Sequence, residues 1–209
     1  MRLLLLHYVA RMKAEHIPSE SDKLRAIDLL YNRFNQAFAY YFWDGRIRPM
    51  LASHPDFHDE QFEIVTVENA CLASVLMDIR SLDDFFLREN RDGKMRQPRS
   101  DDVHVTDFPN YKSTARILSD TERDSINQWV AHQTYHPVWT GKTGIAPNDS
   151  QHWNTVELIE KAGLAMFGFM DFLDCEYSQT YPDEAARSQK MKGFFQRRLK
   201  MMKALPASS

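Results

Sequence analysis

An all-α bundle of five or six helices with one long loop is the fold this sequence predicts, on three observations. Apolar residues recur at three- and four-residue steps in successive blocks, and most blocks open on a helix-start signal. Gly is scarce, at 7 of 209 residues, while Leu, Ala, Met, Glu, Lys and Arg are abundant. No alternating segment longer than HVTDF (104–108) suggests a strand, and there are no internal repeats. A chain of this length suits one domain, 1–209.

Leu3, Leu4, Leu6 and Val9 mark a short opening helix that stops before Pro18. Ser19 then caps a long segment in which Leu24, Ile27, Tyr31, Phe34, Phe38 and Tyr41 step by three and four. That helix is expected to reach about Trp43 and to break or bend at Gly45 and Pro49, which places the N-terminal helices within 1–50. The next begins near Glu60 and runs to about Asn90, with Leu72, Leu76, Ile79, Leu82, Phe85 and Phe86 on a broad apolar face and Gly93 as its left-handed cap. From Asp92 to about Leu118 the chain is polar, holds Pro98 and Pro109 and shows no helical period. A loop that long inside one domain is either functional or mobile, and a lid is one reading.

SDTE (119–122) has the capping-box spacing and opens the helix carrying INQWVAHQTY (126–135), closed by Pro137. NTVE (154–157) opens another through LIEKAGLAMFGFMDFLD, whose Phe and Met stripe reads as core. TYPDE (180–184) sets Pro182 in the first turn of a last, basic helix, 182–205. That helix offers Arg187, Lys190, Lys192, Arg197, Arg198, Lys200 and Lys203 against Met191, Phe194, Phe195, Leu199 and Met202. Such a pattern is usually the solvated face of a packed helix; it can also dock on RNA phosphates, a membrane surface or a partner, and Arg197, Arg198 and Lys200 are the candidate RNA contacts.

The net charge of −3, with 26% charged residues, gives no global field toward nucleic acid, so an anionic partner must be met locally. Cys71 and Cys175 are far apart, in no CxxC or Cys/His pattern, and read as small buried apolar residues in a reducing cytosol. MRLLLLHYVARMK resembles a signal peptide only until His7, and no small-residue cleavage site follows. No stretch approaches the roughly 20 apolar residues of a membrane span, so no membrane partner and a cytoplasmic location are expected.

ENACLASVLMDIRSLDDFF (68–86), followed by SDDVHVTDF (100–108) and INQWVAHQTY, resembles a group of bacterial proteins related to the HEPN superfamily, over roughly residues 60–175. That superfamily comprises all-α domains of toxin-antitoxin and abortive-infection systems. Its active members are metal-independent ribonucleases with an R-x(4 to 6)-H motif near a helix end, usually assembled across a dimer; many others lack the motif and serve as binding or scaffold domains. The resemblance therefore implies a homodimer, no cofactor and no metal, with RNA and an antitoxin protein as expected partners. The nearest match to the motif is Asn127-x4-His132, with Asn where Arg is expected; Arg123 lies nine residues before His132 and outside the window.

The substitution matters chemically. A histidine with a near-neutral pKa can take the ribose 2′-hydroxyl proton, and the attacked phosphate then gains negative charge that a cation must meet. Asn supplies a hydrogen bond but no charge, and removing one transition-state donor typically costs about 3 kcal/mol. Arg80, inside DIRSLDDFF, is the best substitute, because a charge on a strongly apolar helix is seldom idle; Asp84, four residues on, is its bland partner. The expected site is thus His132 as acid-base, Asn127 as orienting amide and Arg80 as phosphate clamp, with Arg123 contacting RNA. At about 100° per residue Asn127 and His132 stand about 140° apart, so on a straight helix they form no dyad. The competing reading makes both helix-packing residues in a non-catalytic interaction or scaffold protein.

Rival sites are weaker. His54/His58 and His132/His136 have a metal-ligand spacing, but no HExxH glutamate lies between them and Pro55 and Pro137 interrupt regular helix. GKTG (141–144) lacks the first glycine of a P-loop, His136 standing there, and no strand precedes it. Asp101, Asp102, His104 and Asp107 could hold a divalent ion or reach into a site; the plainer reading is a turn in which Asp side chains cap backbone donors.

Overall fold

A computed structural model describes residues 17–53, 61–87, 103–108, 110–112, 116–127 and 153–204. These form an all-α bundle: α1 (Glu20–Ala52), α2 (Gln61–Phe86), a 3-10 turn (Val105–Asp107), α3 (described over 120–127), α4 (Thr155–Tyr177) and α5 (Pro182–Ala204). The opening helix expected before Pro18, the Gly93 cap, His54, His58, His132, His136, GKTG, Asp101 and Asp102 lie outside the described residues. Among the described residues, no helix is long and apolar enough to cross a membrane.

The apolar faces bury as the periodicity requires. α1 packs along α2, and α5 along α4. Lys192 pairs with Asp171 and Lys203 with Glu160, so α5 runs antiparallel to α4. Arg187 pairs with Asp28 and Arg198 bonds Asn35, so α5 runs parallel to α1. Phe34, Phe38 and Phe195 join these helices in one aromatic cluster. Gly163 of α4 faces both neighbours, since a Cβ there would stand in ordinary contact with Phe34 of α1 at 3.5 Å and Leu199 of α5 at 3.7 Å.

Three sequence expectations are corrected. First, α1 does not end near Trp43; it continues through Gly45 and Pro49 to Ala52, Pro49 falling only three residues before the last residue of the 33-residue helix. Second, α2 ends at Phe86 rather than near Asn90. Third, the described part of the 92–118 loop is core rather than a lid. His104, Val105, Phe108, Tyr111, Ile117 and Leu118 are all buried. Phe108 and Tyr111 pack on Phe169 of α4 at ring separations of 5.0 and 5.2 Å, beside Phe85 at 5.3 Å. A loop of polar average composition is pinned by a few apolar anchors.

The start signals act as read. Ser119 Oγ accepts from the Glu122 N–H at 3.2 Å, and the Glu122 carboxylate accepts from the Ser119 N–H at 2.7 Å. Asn154 Oδ1 accepts from the Glu157 N–H at 3.1 Å. Pro182 is the first residue of α5. Cys71 is buried as expected, whereas Cys175 is exposed, because it falls on the outward face of α4 with Leu164, Gly168 and Asp171.

Candidate functional site

Arg80 and Asn127, 47 residues apart in sequence, meet: Arg80 Nη1 donates to Asn127 Oδ1 at 2.8 Å. Arg80 lies on α2 and Asn127 on α3, and the contact belongs to a larger network. Arg123 Nη1 donates to Asp84 Oδ1 at 2.6 Å, and its Nη2 pairs with Asp83 Oδ2. Asp84 Oδ2 also faces Arg80 Nη2 at 3.4 Å, the i,i+4 pairing expected from sequence. From Arg123 to Asn127, α3 therefore descends α2 from Asp84 to Arg80, so the two helices are antiparallel.

Asp83 is the pivot of this network. It is 0% exposed, and its Oδ1 accepts from the backbone N–H groups of Ile117 (3.2 Å) and Leu118 (3.0 Å). One carboxylate thus satisfies two buried donors just before α3 and one guanidinium within it, as a buried charge requires. Burial pushes the Arg123 guanidinium down, but the adjacent Asp83 and Asp84 outweigh that and hold its pKa above the ordinary arginine range. On the other flank, Glu122 accepts from Lys161 Nζ of α4 at 3.0 Å. Burial alone would raise the Glu122 carboxyl, but its bonds from Ser119 and Lys161 leave it below the usual range. With Ile126 buried beneath, α3 is clamped between α2 and α4.

Of the sequence-predicted residues, Arg80, Asn127 and Arg123 converge on this network. Asn127 and the N-terminal part of α3 are described; His132 is outside the described residues. Arg197, Arg198 and Lys200 sit on α5. Arg198 turns inward: its Nη1 donates to Asn35 Oδ1 at 2.8 Å, its guanidinium stacks on Phe194 at 4.6 Å, and burial lowers its pKa. Arg197 and Lys200 are exposed. His104 is buried, and its backbone N–H donates to Asp107 Oδ2 at 2.7 Å, the capping turn rather than an open ligand set. Among the described residues no group of three His, Cys, Asp or Glu side chains is placed to hold a metal ion.

Sequence reasoning passed over Asp83, Asp78 and the Tyr31–Ser188 pair. The signal for the two aspartates was present: Asp78 follows Val75 by three, and Asp83 lies between Ile79 and Phe86 on the apolar face of α2. Asp78 is buried and accepts from Arg33 Nη1 of α1 at 2.9 Å. Burial raises its carboxyl above the usual range, and Arg33 offsets this only in part. Tyr31 and Ser188 share a buried hydrogen bond of 2.7 Å between α1 and α5, which periodicity alone does not reveal.

Comparisons of the chain with protein-family models, with curated proteins and with solved structures yield no match.

Proposed function

We propose that this chain is a helical interaction protein, of the motif-lacking kind that the HEPN resemblance includes, acting by binding a partner rather than by cutting RNA. The observation that carries the reading is the charge balance where α2 meets α3. Among the described residues, the Arg80 and Arg123 guanidiniums stand against the Asp83 and Asp84 carboxylates, two cations facing two anions. A phosphate arriving there would have to displace carboxylates already in place, one of them fully buried. That supports a docking contact that fixes α3 over a phosphate clamp. On this reading the protein works in the cytoplasm, as a homodimer or with a partner protein such as the antitoxin of the resemblance.

One observation favours the catalytic reading instead. Arg80 and Asn127, two of the three residues assigned to it, are hydrogen-bonded to each other, and the Arg80 side chain keeps 24% exposure. Purified protein incubated with a mixed RNA pool in EDTA distinguishes the two. Interaction alone predicts no cleavage by wild type. Cleavage that is lost in both His132→Ala and Arg80→Ala, at matched melting temperature, would replace our reading with a metal-independent ribonuclease.

A further inference from the structure

The seven cations of α5 divide into two sets. Arg187 pairs with Asp28 and Glu184, Lys192 with Asp171, Lys203 with Glu160, and Arg198 is held by Asn35. Lys190, Arg197 and Lys200 are exposed and have no carboxylate partner among the described residues. At about 100° per residue these three lie within about 80° of one another, on the side of α5 turned away from the bundle, and they span about 15 Å along the helix. Met201, 58% exposed, stands at the same end. Arg197 Nη1 comes within 3.7 Å of where a Gly193 Cβ would be, so the guanidinium lies back along this face.

The stripe is narrow, and its flanks are ion pairs with no net charge: Arg187 with Asp28, Lys192 with Asp171 and Lys203 with Glu160. Asp171 and Glu160 border it on the α4 side and Asp28 on the α1 side, with Asp171 and Asp28 each about half exposed. A nucleic-acid duplex carries a phosphate charge about every 1.7 Å and is wider than one helix, so most of its phosphates would meet flanks whose cations are already engaged by carboxylates. Stacking is no better served, since the Phe194 ring on α5 is already covered by the Arg198 guanidinium. A helix carrying glutamates or aspartates at three- and seven-residue intervals beside an apolar edge matches both the width and the charge spacing. Met201, being flexible, suits the apolar edge.

We propose that the outward face of α5, through Lys190, Arg197 and Lys200, docks an acidic amphipathic helix of a partner protein. The proposal rests on the binding reading above but is read out separately from RNA cleavage. The probe is a fluorescein-labelled synthetic peptide of about 20 residues, long enough for a helix to begin to hold in water, with glutamates along one edge and leucines along the other. Its anisotropy is followed as full-length protein is added. Wild type is expected to bind, and Lys190→Glu/Arg197→Glu/Lys200→Glu to weaken binding about tenfold or more, the scale of three exposed charge pairs.

The Gln triple at the same positions should fall between them. Arg25→Glu/Arg46→Glu, on exposed positions of α1, should leave binding within about twofold of wild type, the scale of a few tenths of a kcal/mol. No binding by wild type, or an equal loss in the α1 variant, overturns the proposal. Tighter binding of a labelled oligouridylate of equal length at the same salt overturns it in favour of RNA. RNA cleavage in EDTA, by contrast, would remove the non-catalytic reading whatever the peptide does.

Discussion

Asp83→Ala is the substitution on which the account of the α2–α3 contact stands or falls. It removes the acceptor of two buried backbone N–H groups, Ile117 at 3.2 Å and Leu118 at 3.0 Å, and one of the two carboxylates facing Arg123, whose side chain is only 11% exposed. Each stranded donor costs about 1–3 kcal/mol, and breaking one side of a buried ion pair about 3–5 kcal/mol. These penalties overlap, because one side chain serves all three partners, so the expected loss is about 4 kcal/mol. Against a domain stability of roughly 5–15 kcal/mol this is a large shift in the urea midpoint at unchanged slope. Asp83→Asn keeps an oxygen for the two N–H groups and loses only the charge, so it should cost about half as much. Combining it with Arg123→Met should cost less than the separate losses together, by at least about 1 kcal/mol. An Asp83→Ala midpoint within about 1 kcal/mol of wild type, or strict additivity in the cycle, would refute the claim that this carboxylate docks α3.

Other expectations come from the buried polar groups and one glycine. Ser188 Oγ already donates to the Glu184 carbonyl at 2.9 Å, so Tyr31 donates its hydroxyl to Ser188, and Tyr31→Phe should cost about 1 kcal/mol by urea denaturation. Burial pushes the Tyr31 phenol up to about 12 and raises Tyr177 as well; the folded state keeps protons that the unfolded chain releases near pH 10. Stability should therefore hold below pH 10 and fall from there toward pH 12, and Tyr31→Phe should flatten that fall. Because burial raises Asp78 more than Arg33 lowers it, Asp78→Asn should match or exceed wild-type melting temperature at pH 7. The difference should shrink as the pH drops toward about 4, and a clear loss at pH 7 would show that the Arg33 pair outweighs burial. Gly193→Ala removes a mid-helix glycine where a Cβ meets nothing closer than 3.7 Å and should raise stability by about 0.5–1 kcal/mol, read as a higher urea midpoint.

What could be read from the sequence was local. SDTE and NTVE each place a capping side chain three residues from the donor it serves, and both caps form because nothing distant has to be in place first. The apolar stripes of α2 and α4 are equally local, a repeat of three and four that any packed helix must show. The loop was illegible for the opposite reason. Its average is polar, and its burial depends on Phe108 and Tyr111 reaching Phe169 some sixty residues away, which no period within the loop encodes. Gly45 and Pro49 misled because they mark the approach to the end of α1 rather than the end itself, Pro49 falling three residues before the last residue of the helix.

The site illustrates why residue type suggests a role that only opposing charge decides. An arginine on a strongly apolar helix is seldom idle, and both a phosphate clamp and a salt bridge to Asp84 were open to Arg80 from its position in the sequence. The helix that delivers Asn127 to Arg80 also delivers Arg123 to Asp83 and Asp84, while Arg80 already faces Asp84 of its own helix, so the suspected pair meets in a joint where carboxylates stand against both cations. A cation meant for a substrate is more effective when its own protein leaves it uncompensated, and Lys190, Arg197 and Lys200 gather three exposed cations of that kind on one face of α5. The search for a partner therefore belongs on the outer face of the last helix, about a helix-width of positive charge between two rows of ion pairs, rather than at the charge-matched joint where the motif resemblance first pointed.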